Sequence, residues 1–172
     1  AFNKQGGDSY ESGAKYLFTA VFSSALFLMG ITFVYAITGS LYFDDIATAA
    51  SANTALFIVA LTFIISGIGF KLSLVPFHLW TADVYQGGPT AVTSYLSVIS
   101  KGAAAFAFLW VLFKTFSPSP EIWQGILYAL IILTITLGNL FAIRQKNLKR
   151  FLAFSSISQA GYIMLGIMAG SA

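Results

Sequence analysis

Five long apolar runs constrain this chain more than any other feature of its sequence. Each is at least about 20 residues long, which is the length that an α-helix needs to cross the hydrocarbon core of a bilayer. The runs cover residues 14–37, 52–80, 89–113, 121–143 and 148–170, with approximate bounds. They predict an all-α fold: a polytopic transmembrane helix bundle of about five spanning helices that forms a single domain over residues 1–172.

The charge and cysteine content excludes most other classes of protein. Only 9% of the residues are charged and 58% are hydrophobic, whereas soluble domains carry about 25% charged residues. The absence of Cys excludes disulfide scaffolds and iron–sulfur clusters, and a single His, His78, cannot build a multi-histidine metal site. The basic residues form no stripe typical of nucleic-acid binding. The lipid bilayer is therefore the expected partner, with no metal and no nucleic acid.

The second run is too long for one straight crossing and contains Pro76. Proline removes a backbone hydrogen bond and clashes with the preceding turn, so we expect a broken helix near residues 72–77. Lys71 would lie beside the freed carbonyl groups, where it could load and release a proton, and His78 follows on the other side of the break. The alternative is that Pro76 only kinks the helix, Lys71 only caps the kink and His78 is structural.

Lys101 lies near the middle of the third run, twelve residues after Pro89. That is roughly 18 Å into the bilayer, where a lysine costs about 2.5–3.5 kcal/mol on insertion scales. Hydroxyl groups lead to it at helical spacing: Thr90, Thr93, Ser94, Ser97 and Ser100. The fifth run carries a similar polar half-stripe: Ser155, Ser158, Gln159 and Tyr162.

These stripes predict a hydrated half-channel that ends at an ionisable group. The alternatives are a structural lysine that pairs with a carboxylate, and hydroxyl groups that only join helices.

Basic residues are strongly asymmetric between the two ends of the predicted helices. One side holds Lys4, Lys15, Arg144, Lys146, Lys149 and Arg150, and the other holds only Lys114. The positive-inside rule places the first side in the cytoplasm. Glu11 and Lys15 are spaced i,i+4 and would mark the cytoplasmic mouth of the first helix, although such pairs are often plain surface electrostatics.

A long motif surrounds the predicted break. Residues 69–80 read GFKLSLVPFHLW and continue as TADVYQGGPT over residues 81–90. Further matching stretches are ESGAKY at 11–16, NLKR at 147–150 and FSSISQAGY at 154–162. Over nearly its whole length the chain resembles the antiporter-like membrane subunits of respiratory complex I, the proton-translocating NADH–quinone oxidoreductase. Gln159 departs from the pattern, since His is common there.

The resemblance implies roles for several of these residues. Lys71 and Lys101 would be the central lysines of a proton path, with Lys149 and His78 as connecting groups. The chain would be a fragment that corresponds to the sixth through tenth helices of a fourteen-helix subunit. The acidic partner of Lys71 would then lie on a helix before Ala1.

The expected function is proton translocation coupled to quinone reduction elsewhere in complex I. The chain would belong to an enzyme without holding a redox centre, because NADH, FMN, the iron–sulfur clusters and quinone would be bound by partner subunits. Its partners would be other membrane subunits of the complex, in a bacterial inner (plasma) membrane or an organellar inner membrane. The alternatives are a subunit of a multisubunit cation/proton antiporter, which the loop at residues 83–90 argues against, and a structural scaffold.

Overall fold

The computed structural model describes residues 7–49, 54–116 and 120–170 of the chain, and the regular structure of those residues is helical throughout. The helices are α1 (Gly7–Thr38), α2 (Phe43–Ala49), α3 (Thr54–Leu72), α4 (Leu79–Gly87), α5 (Thr90–Tyr95), α6 (Lys101–Thr115), α7 (Pro120–Ile143) and α8 (Leu148–Ala169), with a π-helical turn, Leu96–Ser100, between α5 and α6.

Five described segments are long and apolar enough to span a membrane: Ser9–Thr38, Ala55–Leu72, Thr90–Thr115, Trp123–Ile143 and Leu148–Ala169. The predicted all-α transmembrane bundle is therefore confirmed, and the protein is an integral membrane protein. Helix α1 begins at Gly7, earlier than predicted, because polar residues extend the helix beyond its apolar run.

The short helix α2 was not expected from the sequence. Asp44 and Asp45 lie in its first turn, where negative charge is favourable at the positive end of a helix. Ile46 is buried and belongs to the main apolar core, which explains why the segment folds back onto the bundle.

The bundle is built from two tight helix pairs, α1 with α3 and α7 with α8. Gly30 and Gly67 allow the first pair to approach closely. A Cβ atom on Gly30 would lie 2.9 Å from the Ala60 carbonyl oxygen, and one on Gly67 would lie 2.5 Å from the Cβ of Phe27. Small residues at such crossings are typical of membrane helices, whose association depends on close backbone packing.

The main core lies at the end of the bundle opposite to Lys15. Trp123 is 1% exposed, and its indole Nε1 donates a hydrogen bond to the Phe116 carbonyl oxygen at 3.1 Å. The ring of Phe116 meets that of Phe57 edge-on with centroids 6.1 Å apart. These contacts join α3, α7 and the end of α6 at one side of the predicted membrane.

The second spanning segment is broken, as the sequence predicts. Helix α3 ends with Ser73 in the left-handed region (φ 63°), while the backbone N–H of Leu74 donates to Gly69 O and that of Ser73 to Phe70 O. This is a Schellman ending, in which glycine is the usual residue. Helix α4 resumes at Leu79 after a cis Val75–Pro76 peptide bond.

Two side chains form hydrogen bonds with the backbone at the break. The Val75 N–H donates to Thr134 Oγ1 of α7 at 3.0 Å, and the Trp80 indole donates to Phe70 O at 3.2 Å. The irregular backbone over residues 72–75 is buried in protein, as a bilayer requires, and Pro76 is exposed.

The third spanning segment differs from the single α-helix that the sequence predicts. A π-helical turn over Leu96–Ser100 separates α5 from α6 and ends immediately before Lys101. One extra residue in a turn rotates every later side chain around the helix axis, and such turns are frequent at functional sites. The turn therefore changes the direction in which Lys101 points relative to the hydroxyl groups of α5.

Candidate functional site

Lys101 lies at the centre of the candidate site. Its side chain is buried, with 3% of the residue exposed. The ammonium Nζ donates to Ser156 Oγ at 2.6 Å and to Ser156 O at 2.9 Å. In the described part of the chain, no carboxylate forms an ion pair with it. The charge is thus held by two neutral oxygens, and the structure does not supply the carboxylate partner that the structural alternative needs.

A cavity of about 290 Å³ lies between α4, α5 and α8, next to this lysine. Its lining includes Tyr85, Thr90, Thr93, Ser94, Ser97, Lys149, Ser155, Ser156 and Gln159. Six residues of the two predicted stripes therefore line one cavity, whereas Ser100, Ser158 and Tyr162 are not part of its lining. Ser156 lines the cavity and also binds Lys101, so it connects the two.

Three hydroxyl groups of this cavity donate hydrogen bonds to backbone carbonyl oxygens of their own segment. Thr93 and Ser94 donate to the Thr90 carbonyl oxygen at 2.9 Å, and Ser97 donates to Ser94 O at 3.0 Å. A hydroxyl oxygen that donates in this way keeps lone pairs for a hydrogen bond from water. The stripe can therefore line a wet cavity as an acceptor surface, although Ser100 is not part of the lining.

Lys149 lies near the end of the cavity, where Nζ donates to Gly88 O at 3.3 Å. Its position on α8 is fixed by the N-cap residue Asn147, whose side chain accepts from the backbone N–H of Lys149 at 2.9 Å. An exposed cation at this point can attract water or anions to the polar end of the cavity.

Lys71 is not part of the same cavity. It lies in the last turn of α3 and is exposed, and it makes no hydrogen bond or ion pair within residues 7–49, 54–116 and 120–170. A lysine at membrane depth needs a partner. That its partner is a carboxylate outside this chain stays a prediction.

His78 is buried at the other end of the break, beside α7. Its ring stacks on Phe141 with centroids 6.4 Å apart, and Nδ1 has no hydrogen-bond partner among the described residues. It borders a second cavity of about 250 Å³ whose lining also includes Asp83 and Arg150. The structure therefore places His78 apart from the Lys101 cavity, and Pro76 lies exposed in the break between Lys71 and His78.

Asp83 forms an ion cluster that sequence reasoning missed. Its Oδ2 accepts from Lys15 Nζ at 2.6 Å and its Oδ1 from Arg150 Nη1 at 2.9 Å. Lys15 also pairs with Glu11 at 2.6 Å, as the i,i+4 spacing suggests. The hydrogen bond from Lys15 is the largest cause that holds the pKa of the Asp83 carboxyl below its usual value. The sequence signal for this cluster is an acidic residue close to the helix ends where the basic residues gather.

A cleft of about 140 Å³ opens beside this cluster, and Asp83 and Arg150 line it together with Glu11 and Lys15. The cluster brings residues from α1, α4 and α8 together at one end of the bundle. In the described ranges, no group of three His, Cys, Asp or Glu side chains is arranged to hold a metal ion.

Comparison with known proteins gives relatives along the full chain. NADH-quinone oxidoreductase subunit N of Phocaeicola vulgatus is 61% identical over 171 residues, which cover 99% of this chain and 36% of the relative. The subunit of the same name from Moorella thermoacetica is 44% identical over 173 residues, with shares of 99% and 36%. The chain thus spans about a third of the length of these curated relatives.

Solved structures share the fold. Respiratory complex I from Thermus thermophilus with bound aureothin contains a chain with a TM-score of 0.83 and 38% identity, covering 98% of this chain and 36% of that one. The Mrp complex from Dietzia sp. contains a chain with a TM-score of 0.85 and 26% identity, covering 92% of this chain and 29% of that one. The family model described as NADH:quinone oxidoreductase/Mrp antiporter, TM, matches residues 1–172. Because that match covers the whole chain, the protein belongs to the NADH:quinone oxidoreductase/Mrp antiporter transmembrane family.

Proposed function

We propose that this chain is part of a proton-translocating membrane subunit of NADH:quinone oxidoreductase and that Lys101 carries protons in it. The observation that carries the proposal is that Lys101 is buried and donates to Ser156, a residue that lines a cavity rich in hydroxyl groups. The relatives named as subunit N support the assignment to this complex.

The chemistry of the lysine site suits a change of charge. A carboxylate partner would fix lysine in its ammonium form, whereas the two neutral oxygens of Ser156 accept hydrogen bonds from the ammonium without neutralising it. A charge held in this way is expensive in a low-dielectric interior, so a charge that arrives or leaves nearby can decide whether the proton stays. Water in the cavity would carry the released proton along the acceptor surface of α5.

The remaining predicted residues have supporting roles in this proposal. Lys149 attracts water at the end of the cavity. Lys71 and His78 lie outside that cavity, on either side of the broken helix, and would exchange protons with parts of the subunit beyond this chain. NADH, FMN, the iron–sulfur clusters and quinone would be bound by partner subunits. Bacterial relatives support a location in the bacterial plasma membrane.

Substitutions of Lys101 test the proposal in the intact complex. Lys101→Ala removes the proton carrier, and Lys101→Arg puts in its place a guanidinium group that stays protonated and cannot release its proton. We expect both variants to lower the ratio of protons pumped to electrons transferred in reconstituted vesicles while the yield of assembled complex is kept. Lys114→Ala is the matched control, because Lys114 lies on the same helix but is exposed above the Trp110 ring. Full pumping by the Arg variant would exclude the carrier role.

A cation/proton antiporter is the second candidate, because the Mrp complex shares the fold with a TM-score of 0.85. The two functions differ in what drives the proton. In vesicles that contain the intact assembly, an antiporter collapses an imposed proton gradient when sodium is added without NADH. We expect no such response, and a gradient that forms only during NADH oxidation.

A further inference from the structure

Helix α4 is a short segment whose place in the bundle depends on side chains. It has nine residues, and the break over residues 73–78 separates it from α3. A helix that is not a continuation of its neighbour is held by lateral contacts. Apolar contacts of Trp80 and Tyr85 provide part of that hold, and Asp83 provides the polar part.

Asp83 joins α4 to two other helices through separate oxygens. Oδ2 accepts from Lys15 of α1 and Oδ1 accepts from Arg150 of α8. Ser12 of α1 also donates to the Asp83 backbone carbonyl at 3.0 Å, and Arg150 donates to Gln86 Oε1 at 2.9 Å. One carboxylate therefore fixes the lateral position of α4 against both neighbours.

The same helices form the walls of the cavity beside Lys101. Helix α4 contributes Tyr85, two residues after Asp83, and α8 contributes Ser156, six residues after Arg150. At 1.5 Å per residue, Ser156 lies roughly 9 Å along α8 from that ion pair. A shift of α4 away from α8 would therefore widen the cavity and disturb the residue that holds Lys101.

We propose that Asp83 is a positioning residue whose ion pairs to Lys15 and Arg150 form a latch that keeps the Lys101 cavity narrow. At its present width the cavity has room for several waters, but the buried Lys101 side chain closes it from the far side, so protons pass only when Lys101 exchanges one. Without the latch the cavity takes up more water and protons leak back. The inference rests on the proposed function, because a leak past Lys101 matters only where Lys101 carries protons.

The ion pairs of the latch are partly exposed to solvent, so they can break and re-form. The side chains of Lys15, Asp83 and Arg150 are 43%, 29% and 34% exposed. Partly exposed pairs are individually weak and are screened by salt, so a modest force on α4 can release them. Loss of Asp83 would not leave a bare cation, since Lys15 keeps Glu11 and Arg150 keeps Gln86. The protein should therefore fold without it.

Asp83→Asn in the complete complex tests the latch. We expect NADH–quinone electron transfer to continue while the proton-to-electron ratio falls severalfold, and Asp83→Glu to restore most of the ratio because it keeps the charge. Asp45→Asn is the control, since Asp45 is an exposed acid at the opposite end whose carboxylate accepts from Ser40 Oγ. This control should pump normally.

Cavity width is measured separately by thiol labelling. Val98 lines the cavity and takes no part in proton transfer in our proposal. In a background without other reactive cysteines, Val98→Cys should react faster with a membrane-impermeant thiol reagent when Asp83→Asn is also present, and at the original rate with Asp83→Glu. Unchanged labelling, or normal pumping by Asp83→Asn, would overturn the latch. If Lys101→Ala stops pumping and Asp83→Asn does not, the latch is wrong and the proton-carrier role of Lys101 remains. If Lys101→Ala and Lys101→Arg both pump normally, the proton-carrier role is wrong.

Discussion

Lys101 donates to both oxygens of Ser156, the hydroxyl at 2.6 Å and the backbone carbonyl at 2.9 Å. The two residues come from different spanning segments and are separated by 55 positions in the chain. One serine therefore holds the buried ammonium and also borders the cavity next to it. This relationship makes the Ser156 hydroxyl the shortest step between the lysine and the cavity.

Ser156→Ala should slow proton transfer more than it harms the fold. It removes one hydrogen bond to a charged group, which is worth about 1.5–3 kcal/mol, and leaves the backbone carbonyl in place. We expect a lower proton-to-electron ratio at a normal yield of complex. Ser156→Thr keeps the hydroxyl group and should retain most of the activity. Equal loss of pumping in both variants would show that packing, and not the hydroxyl group, is what the site requires.

Ser73→Gly should stabilise the subunit. Ser73 adopts a φ of 63°, a left-handed conformation that costs an L-residue roughly 1–2 kcal/mol and costs glycine almost nothing. Part of this gain is cancelled by the entropy of glycine in the unfolded chain, so we expect a net gain of up to about 1 kcal/mol in the free energy of unfolding in detergent.

The matched control for that change is Ser66→Gly. Ser66 lies inside α3 and donates to Thr62 O at 2.7 Å. Glycine in a helix interior is destabilising, by roughly 0.5–1 kcal/mol relative to Ala, so this variant should unfold more easily. The two Ser→Gly changes are thus expected to have opposite signs, and the same sign for both would contradict the assigned C-terminal ending of α3.

Gly30→Ala should weaken the contact between α1 and α3. Its Cβ would meet the Ala60 carbonyl oxygen and the Ile64 backbone nitrogen, each at 2.9 Å, and backbone atoms cannot rotate away. Overpacking of this kind costs about 1–3 kcal/mol. Gly125→Ala provides the comparison, because no atom lies within 4 Å of its added Cβ and alanine favours the helix. Unfolding in mixed micelles should show the first variant destabilised and the second unchanged or more stable.

Asp44 and Lys146 should lie on opposite faces of the membrane. The ion cluster of Lys15, Asp83 and Arg150 puts three helix ends on one side, and the positive-inside rule predicts that this side is cytoplasmic. Single cysteines at positions 44 and 146 should therefore react with an impermeant thiol reagent from opposite sides of sealed vesicles. Labelling of both from the same side would contradict the alternation of the five spans.

The spans and the break could be predicted because their signals are local in sequence. Apolar length alone identifies a spanning helix, and Pro76 inside an overlong run marks the interruption. The stripe of hydroxyl groups in the third run could also be predicted, because helical spacing places Thr90, Ser94 and Ser97 on one side.

The remaining parts of the site depend on contacts between distant segments. Ser156 could not be preferred over Ser155 or Ser158 without knowing which face of α8 meets Lys101. The π-helical turn over Leu96–Ser100 has no residue type that marks it. The sequence places Asp83 in a loop. Its role in joining helices depends on Lys15 and Arg150, which are 68 and 67 positions away in the chain.

The hydroxyl group of Thr134 anchors the broken helix at its interruption. It accepts from the Val75 N–H at 3.0 Å and donates to its own helix at Leu130 O at 2.6 Å, so the middle of the interruption is tied to α7. Helix α3, which carries Lys71, ends on one side of this point, and helix α4, which carries Asp83, begins on the other. The Val75 backbone therefore cannot move without losing this hydrogen bond or moving α7 with it, and the segment between α3 and α4 is held in place although no helical hydrogen bond runs through it.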